Sequence, residues 1–502
     1  MKKQILINVE AGERRIAILA ENKLDDCFVE RLDRKEMVGN IYKAVVDSIV
    51  PAIGAAFVNY GKPKNGFLYV SDATESLEDY EDEGVVYDTD TSKEKKFLKI
   101  EELLKKGQEV MVQVVKEELG TKGARLTTNV SLPGRYLVLM PHGEKIGVSR
   151  RIREDQERKR IREILKTFKL PENTGLIART AAAGCDKKDL IRDFKYLSRQ
   201  WLFIKANSKR KAAPALLWQE LDLASKIIRD ILNDNFEKII VDERIEFKRL
   251  LHVINNFSPE FRSKVELYRG EEPIFEKYGI EKELDKVYNR KIFLKCGGYI
   301  TIEQTEGMVA IDVNTGGYTK KQNPEDTVYK VNLEAAVEVA RQLRLRDVGG
   351  IVVIDFIDME TEQRRKSLFN TLQYELKKDR AKTHIACFSE LNIVELTRQR
   401  THKSLESSAY QSCPYCEGKG LIKSQDTVAI LAIRKLSEFL KKSGTRARGN
   451  REVEIVLHPD VAAKIRKGKS DYINKLARLF RVKIVVLENT SFHYEDIEIK
   501  RV

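Results

Sequence analysis

The sequence predicts a soluble α/β multidomain protein, and three observations lead to this prediction. The chain has 502 residues, a length that suits about three to four domains, each with a buried core. Residues 39–129 contain short apolar runs separated by glycine turns, which is typical of a small closed barrel. The apolar runs and the helical spacing in residues 308–355 predict a strand, a helix and a second strand, which together make a βαβ unit.

Composition excludes several classes of protein. Hydrophobic residues make up 42% of the chain and charged residues 33%, which is typical of a globular protein rather than a disordered one. No apolar run approaches the roughly 20 residues that a membrane span needs, and residues 1–8 turn polar too soon for a signal peptide. Six cysteines are too few for a disulfide scaffold. We therefore expect a cytoplasmic protein without a membrane span.

The chain carries a net charge of +14, and most of the excess lies in one stretch. Residues 150–211 contain 19 basic and 8 acidic side chains. This concentration favours binding of a polyanion, because each neutralised phosphate releases counterions. The alternative is a solvated helix with a basic face. Residues 72–90 contain nine acids and no base, and we interpret them as a surface loop held away from a nucleic acid.

The local patterns predict the remaining elements in order. Residues 4–9 and 14–19 alternate apolar and polar, which predicts a hairpin that turns at residues 10–12. The five barrel strands are predicted at 40–46, 55–60, 66–70, 108–115 and 124–128. The segments that follow are predicted as helices at 151–169, 187–208 and 216–232, a strand at 238–242, a helix at 331–346, and a final domain with a helix at 434–440 and strands at 453–457 and 482–487.

Aromatic and lysine side chains alternate along the predicted barrel. They are Tyr42, Phe57, Tyr60, Phe67 and Tyr69, with Lys43, Lys62, Lys64 and Lys116. Rings that stack bases and nearby lysines that contact phosphates are the means by which barrels of this size bind single-stranded nucleic acid. Each ring alone is more often a residue of the barrel core, and their combination places the binding interpretation on an even footing with the core one.

Two aspartates follow the two strands of the βαβ unit. Asp312 ends the apolar run 308–312 and Asp355 ends the run 349–355. Because parallel strands place their carboxyl ends at one edge of a sheet, we expect the two carboxylates to meet, with Asn314 as a third polar group. Mg²⁺, which prefers oxygen ligands, is the expected occupant. Each aspartate could instead simply cap its strand, and the pair alone suits a nuclease or a phosphatase.

Cys413 and Cys416 form a CxxCxGxG pattern with glycines at 418 and 420. A tetrahedral zinc ion needs four ligands and this pattern supplies two, so the simplest solution is that two chains each donate one pair. A thioredoxin-like redox pair and a chaperone-type zinc repeat are the alternatives. The spacing of the other cysteines and of the six histidines does not indicate further ligands.

Together these segments resemble the ribonuclease E/G family over nearly the whole chain. The segments that carry the resemblance are 41–43, 55–61, 66–68, 176–181, 310–314, 340–347, 353–359 and the cysteine pattern 413–420. The resemblance implies an Mg²⁺-dependent endoribonuclease that cuts single-stranded, A/U-rich RNA and leaves a 5′-phosphate and a 3′-hydroxyl. Some members carry a long Pro/Arg-rich tail, and we expect this chain to be a member of the family without that tail.

The resemblance also implies roles for individual residues. Asp312 and Asp355 match the magnesium-binding aspartates and Asn314 their supporting asparagine. The implied RNA contacts of the barrel are Phe57, Phe67 and Lys116, and the implied 5′-monophosphate sensor consists of Arg179, Thr180, Arg150 and Lys382. Lys382 stands where some members have arginine, so it keeps the charge but not the bidentate fork. Cys413 and Cys416 match a zinc-link that joins two protomers.

The family architecture implies an RNase H-like domain that is interrupted by two insertions. The implied domains are an RNase H-like domain (1–38 and 224–287), an OB-fold (39–128), a 5′-sensor (129–223), a DNase I-like catalytic domain (288–409), the zinc-link (410–423) and a small α+β C-terminal domain (424–502).

The leading hypothesis is therefore a cytoplasmic endoribonuclease of rRNA and tRNA processing and mRNA decay. Its expected partners are rRNA precursors, mRNA and a second copy of the chain, and a dimer of dimers is left open. One rival hypothesis is a non-catalytic RNA-binding scaffold, against which the carboxylate pair argues. The other is a metal-dependent phosphatase, and it would leave the barrel and the basic stretch unexplained.

Overall fold

The computed structural model divides the chain into two units, Met1–Ser408 and Ala409–Val502. The structure describes residues 2–33, 36–73, 85–87, 99–118, 123–141, 143, 146–171, 173–233, 235–305, 307–316, 324–389, 391–400, 410–411, 413–442 and 452–502. Within these ranges, no helix combines the length and the apolar composition that crossing a bilayer requires.

The first sheet of the larger unit joins two distant parts of the chain. Its five strands, in spatial order, are Val265–Leu267, Phe236–Val241, Lys3–Glu10, Glu13–Ala20 and Lys23–Arg31. The predicted N-terminal hairpin is confirmed. Its first strand also pairs in parallel with Phe236–Val241, so that Leu6 lies opposite Ile240. One sheet thus contains strands from both parts of the predicted split domain, whose RNase H-like identity stays a prediction.

The predicted closed barrel is confirmed. Its five strands, in order around the barrel, are Ile41–Val50, Ala55–Asn59, Gly66–Tyr69, Arg125–Thr127 and Glu109–Lys116. The last strand pairs with the first, with Gln113 opposite Ile41, and this pairing closes the barrel. No sheet edge is left open among these five strands, because each of them pairs on both sides.

The prediction of one helix over residues 216–232 was wrong in its first half. Ala215–Trp218 forms a strand that pairs antiparallel with the first residues of Ile41–Val50 and so joins the barrel sheet. The alternation of exposed Leu216 and buried Leu217 has the period of a strand. The helix itself is Leu223–Ile231, and the carboxylate of Asp222 accepts the backbone N–H of Ser225 at its start, 3.0 Å away.

The predicted acidic surface loop lies mostly outside the described residues, and its first member is not on the surface. Asp72 is 3% exposed and its carboxylate accepts two hydrogen bonds from the guanidinium of Arg125, at 2.8 and 3.0 Å. The backbone carbonyl of Asp72 also accepts the hydroxyls of Thr127 and Thr128. This aspartate therefore fastens the end of one barrel strand to another, a long-range pairing that a local charge pattern cannot reveal.

A third sheet and two basic helices follow the barrel. The strands, in spatial order, are Leu132–Pro133, Leu137–Met140, Gly175–Ala178, Ile146–Ser149 and Val85–Tyr87. The helices are Asp155–Lys166 and Lys187–Arg210, as predicted. The longer helix buries Leu190, Leu197 and Ile204 at intervals of seven, which places one apolar face against the sheet.

The six-stranded sheet of residues 291–398 contains the predicted βαβ unit. Its strands, in spatial order, are Lys291–Phe293, Tyr299–Gln304, Met308–Asn314, Gly350–Asp355, Ile393–Arg398 and Thr383–Ile385. Its two helices are Pro324–Leu345 and Glu362–Leu376. The first begins earlier than predicted, at Pro324 rather than at residue 331, with two acids in its first turn.

The two faces of this six-stranded sheet differ. Both helices bury their apolar residues against one face, among them Val339, Leu343, Leu368 and Leu372. On the other face the side chains are exposed or half-buried, as the alternating burial of the strands shows. We call this second side the open face.

Shorter helices complete the larger unit. They are Val70–Ala73, Ile100–Leu103, Arg244–Phe257, Ile274–Lys277 and Ile280–Val287, with 3₁₀ turns at Pro51–Ile53, Thr180–Ala182 and Pro259–Lys264.

The smaller unit confirms the predicted helix and strands of the final domain. The helices are Gln425–Lys442, Pro459–Gly468 and Ser470–Phe480. The strand Glu452–Leu457 lies between Lys483–Glu488, to which it is parallel, and Ile497–Arg501, to which it is antiparallel. Its core is formed by aliphatic residues of both layers, such as Leu436, Val453 and Ile465.

A buried arginine joins three segments of the six-stranded sheet. Arg398 ends its strand and pairs with Asp379 at 2.7 Å and with Asp347 at 2.6 Å. It also donates to the carbonyl oxygen of Val348, 2.7 Å away. The side chains of Arg398 and Asp379 are 3% and 4% exposed, so water screens this pair little.

We expect Arg398→Met to lower the free energy of unfolding by about 3–5 kcal/mol, because it removes the cation that faces two poorly solvated carboxylates. Urea denaturation measures this loss. Lys286→Met, which removes a cation from the exposed pair with Glu283, is the matched control and should cost about 1 kcal/mol or less. Equal losses for the two variants would contradict the prediction.

Candidate functional site

The two predicted aspartates lie side by side on the open face. Asp312 is directly opposite Asp355 in the parallel pairing of their strands, so both side chains point to the same side. The side-chain amide of Asn314 donates to the carboxylate of Asp312 at 2.6 Å. The structure therefore brings together all three residues that the sequence singled out at this edge.

These residues line a cavity of about 330 Å³ that also includes Thr315 and Asp358. Burial raises the pKa of Asp355 above its usual value, and the negative charges of Asp312 and then Asp358 raise it further. A cation in the cavity would relieve this repulsion, because an opposite charge favours the ionised form of each carboxylate.

The ligand set suits Mg²⁺. This ion binds through one or two carboxylates, keeps several waters and takes oxygen ligands, and Asp312, Asp355 and the side chain of Asn314 meet that description. Among the residues described, no group of three or more histidine, cysteine, aspartate or glutamate side chains has the geometry to hold a metal ion. A site closed by three or more of these side chains is therefore absent from the described part of the chain.

Two supporting residues escaped the sequence reasoning. Asn332 is fully buried on the crossover helix, and its side chain donates to the carbonyl of Ile357 at 2.8 Å and accepts its N–H at 3.2 Å. This pair of bonds fixes the segment that follows Asp355. Gly298 lets its strand lie close to Asn314, because a Cβ atom at this position would be 2.8 Å from the carbonyl oxygen of Asn314. The sequence signal that could have revealed Asn332 is a polar residue on the apolar face of a helix.

The predicted RNA-contacting residues of the barrel form one row across its strands. Phe57 lies opposite Phe67, Phe67 opposite Arg125, and Arg125 opposite Lys116. The rings of Phe57 and Phe67 meet edge to face with centroids 5.3 Å apart. Both rings are half-buried and Lys116 is exposed. Tyr69 lies beside this row, two residues after Phe67 on the same strand and opposite Ala55. Its ring centroid is 4.3 Å from that of Phe67 and 5.5 Å from the guanidinium carbon of Arg125.

Two of the aromatic residues singled out by sequence belong to the barrel core instead. Tyr42 and Tyr60 are 5% and 1% exposed, and their rings meet edge to face at 5.2 Å. The hydroxyl of Tyr60 donates to Glu118 at 3.2 Å, and burial, followed by the charge of Glu118, raises the pKa of Tyr60. Strand alternation directs these two rings inward, so they are not available to bases.

Three of the four predicted sensor residues line a cleft of about 1810 Å³, namely Arg179, Thr180 and Lys382. The fourth, Arg150, is exposed in the turn after the strand Ile146–Ser149, and its neighbour Arg151 lines the cleft. Residues far apart in sequence thus converge here, because the cleft is bordered by several sheets of the larger unit.

Arg179 is held in place by two hydrogen bonds. It donates to the carbonyl of Gly134 at 2.6 Å and to the carboxylate of Asp230 at 2.5 Å. Burial opposes ionisation of Asp230, but the guanidinium groups of Arg229 and Arg179 lower its pKa overall. The hydroxyls of Ser149 and Thr180 lie 3.3 Å apart. Asp230 lies 51 residues from Arg179 in the chain, so local sequence patterns do not reveal this partner.

The cysteine pattern of the smaller unit forms a tight knuckle. The backbone N–H of Gly420 donates to the sulfur of Cys416 at 3.3 Å. Glu417, Gly418 and Gly420 have positive φ angles of 51°, 84° and 71°, which bend the backbone around the sulfurs. Backbone N–H groups of Cys416 and Tyr415, followed by the side chain of Cys416, lower the pKa of the Cys413 thiol. The thiolate form that zinc requires is thereby favoured.

Tyr415 ties this knuckle to the loop at residues 493–494. Its hydroxyl accepts the backbone N–H of Tyr494 at 3.2 Å, and its carbonyl oxygen lies 2.8 Å from Nε2 of His493. The His493 ring also contacts the Tyr415 ring, with centroids 4.0 Å apart. The knuckle is thus fixed to the domain that follows it.

Comparison with known proteins gives matches along the chain. Residues 131–401 match the family described as "Ribonuclease E/G family", and residues 412–502 match the description "RNase E/G, Thioredoxin-like domain". The parallel strands Glu452–Leu457 and Lys483–Glu488, with the helices between them, form a βαβ unit in the second region. The cysteine pair precedes this unit and lies outside it.

Individual proteins match over most of this chain. The chain is 41% identical over 436 residues to Ribonuclease G of Salmonella typhimurium (strain SL1344), which is 87% of this chain and 88% of that protein. Ribonuclease G of Escherichia coli (strain K12) is 41% identical over 438 residues, with the same shares. Ribonuclease E of Haemophilus influenzae is 35% identical over 502 residues, which is 100% of this chain and 52% of that protein.

Proposed function

The chain belongs to the ribonuclease E/G family and is an endoribonuclease, and from this premise we propose that it cuts single-stranded, A/U-rich RNA with the help of Mg²⁺. The observation that carries this proposal is the register that places Asp312 opposite Asp355 on an open sheet face. The proposed products carry a 5′-phosphate and a 3′-hydroxyl. The proposed settings are rRNA and tRNA processing and mRNA decay.

In this proposal Asp312 and Asp355 hold the cation, and Asn314 keeps Asp312 in position through its 2.6 Å hydrogen bond. Bound Mg²⁺ would supply charge neutralisation on the phosphodiester and a lowered pKa of water. The open face leaves room for a polymer to pass across the carboxylates, which an internal cut requires. A scaffold that only binds RNA has no need for this carboxylate pair.

The barrel row is the proposed binding surface for the strand away from the cut. Phe57 and Phe67 offer ring surface to bases, while Lys116 and Arg125 offer charge to phosphates. Stacking on such rings tolerates any base, so the proposed A/U preference requires contacts elsewhere or the easier unstacking of A/U-rich strands.

The cleft around Arg179 and Thr180 is the proposed site for a 5′-monophosphate. Arg179 can present a planar pair of donors, whereas Lys382, which lines the same cleft, acts as a point charge. Asp230 positions Arg179 in the free protein. In this proposal Arg179 makes the bidentate hydrogen bonds to the phosphate, and Lys382 contributes electrostatic attraction without a second bidentate contact.

A second copy of the chain is the proposed partner at the zinc knuckle. Two thiols cannot complete a tetrahedral zinc site, and a symmetric pair of chains supplies four. All six cysteines are free thiols, which suits the reducing cytoplasm that we propose as the compartment.

We expect Asp312→Asn and Asp355→Asn to leave RNA affinity within about threefold and to lower the cleavage rate by about 10³-fold or more, because a metal ligand is lost from the reacting centre. Gel analysis of a labelled A/U-rich oligonucleotide with Mg²⁺ or EDTA measures cleavage, and fluorescence anisotropy measures binding. Glu395→Gln, an exposed acid on the same open face, is the control and should cleave normally. Cleavage retained in either aspartate variant would overturn the assignment of the metal site.

We expect the wild-type protein to cleave a 5′-monophosphorylated oligonucleotide roughly 10-fold faster than its 5′-hydroxyl counterpart, because charge-assisted hydrogen bonds to the phosphate add affinity. Arg179→Ala should slow only the monophosphorylated substrate and make the two rates equal. Arg210→Ala, at an exposed arginine of the same basic stretch, should keep the difference. Equal rates for the wild-type protein would remove the sensor and keep the nuclease.

We expect Cys413→Ser to abolish bound zinc and to halve the molar mass in solution, because each chain contributes half of the ligand set. Elemental analysis should find one zinc per two chains in the wild-type protein, and light scattering measures the mass. Cys387→Ser, at an exposed cysteine of the larger unit, should change neither quantity. An oligomer of unchanged mass would show that other surfaces hold it together.

A further inference from the structure

One exposed and one half-buried aromatic ring lie on the open face, two strands and one strand away from the strand of Asp312. Phe293 is 73% exposed and lies opposite Tyr299 on the adjoining strand. The ring centroids are 6.2 Å apart. The ammonium nitrogen of Lys291 lies 3.5 Å from the Tyr299 ring centroid and 5.1 Å from that of Phe293. We call Lys291, Phe293 and Tyr299 the aromatic patch.

The strand register connects the aromatic patch to the reacting centre. Tyr299 is directly opposite Asn314, so Phe293, Tyr299 and Asn314 form one row on the open face. In the next row, Lys291 is opposite Thr301, Thr301 opposite Asp312, and Asp312 opposite Asp355. Because neighbouring strands are about 4.8 Å apart, the Tyr299 ring is about one strand spacing from Asn314.

The position of Phe293 is not explained by packing. The helices cover the other face of the sheet and bury its aliphatic residues there, whereas Phe293 projects into solvent beside Lys291. Exposed aromatic rings on an open sheet, next to a lysine, are the arrangement that stacks bases of a single strand and attracts its phosphates. The negative charge of Asp312 and Asp355 further along the same rows fits a polymer that approaches them with a cation.

We propose that the aromatic patch is a base-stacking subsite for a nucleotide that adjoins the scissile bond, with Lys291 at its phosphate. This inference rests on the proposed nuclease function and adds a positioning role for Phe293 and Tyr299. The rings hold the strand so that the neighbouring phosphodiester lies over Asp312 and Asp355. Stacking here is independent of base identity, so it sets the position of the strand rather than the sequence that is cut.

The test is an abasic scan of a single-stranded oligoribonucleotide with one mapped cleavage site. At one position next to that site, loss of the base should lower wild-type kcat/KM by about 5- to 150-fold, the range expected for one stacked base. In Phe293→Ala and in Tyr299→Ala, the intact substrate should be slowed by a similar factor. Removal of the same base should then lower kcat/KM of these variants little further, because the protein ring on which the base stacks is already absent.

The chain offers a matched control. Tyr374 is 64% exposed and has the ammonium of Lys378 4.8 Å from its ring centroid, but it lies on the helix Glu362–Leu376, which packs on the opposite side of the sheet. Tyr374→Ala should keep the full abasic penalty at that position. Phe293→Tyr retains a ring, so it should show most of the abasic penalty that the wild-type protein shows and that Phe293→Ala lacks. Thermal unfolding of each variant verifies its fold.

The outcomes separate this inference from the function on which it rests. If the wild-type protein does not cleave, the proposed function fails first. If it cleaves and the abasic penalties of Phe293→Ala and Tyr299→Ala equal those of the wild-type protein, the nuclease stands and the stacking subsite is overturned. A lower molar mass of Phe293→Ala together with an unchanged abasic pattern would assign the aromatic patch to contact with a second copy, which also overturns the proposal.

Discussion

The parallel pairing of Met308–Asn314 with Gly350–Asp355 is the constraint on which the candidate site depends. It places two acids opposite each other although 42 residues separate them along the chain. The crossover helix makes this pairing possible, and its buried Asn332 holds the segment after Asp355 by two hydrogen bonds. Burial raises the pKa of Asp355, and the negative charges of Asp312 and Asp358 raise it further. The fold thus maintains a local electrostatic cost that a bound cation would offset.

Charge is arranged differently in the three regions to which we assign RNA contacts. Around Arg179 it is already partly neutralised by Asp230, and along the barrel row Arg125 is held by Asp72. On the open face, the described residues that line the cavity include Asp312, Asp355 and Asp358 and no arginine. Basic groups that are held by acids are pre-positioned for phosphates, whereas acids that face each other favour a metal ion. The same side-chain types therefore serve opposite purposes, according to what faces them.

Much of the fold was predictable because its elements follow local alternation. All five barrel strands, the N-terminal hairpin, both basic helices and the βαβ unit are where the patterns predicted them. The failures occurred where long-range packing decided the outcome. Ala215–Trp218 became a strand by pairing with the start of the first barrel strand, and Asp72 was buried by pairing with Arg125. Neither partner is near in sequence, so no local window contains the necessary information.

The sequence by itself determined which residue types end the strands, the spacing of Cys413 and Cys416, and the family to which the chain belongs. The tertiary structure decided which of these groups meet and which aromatic rings face solvent. Tyr42 and Tyr60 look like Phe57 and Phe67 in sequence, yet closure of the barrel turned the first pair inward and left the second pair half-exposed. The physical reason is strand register. A side chain's face is fixed by pairing with residues far along the chain, and a shift of one residue would reverse it.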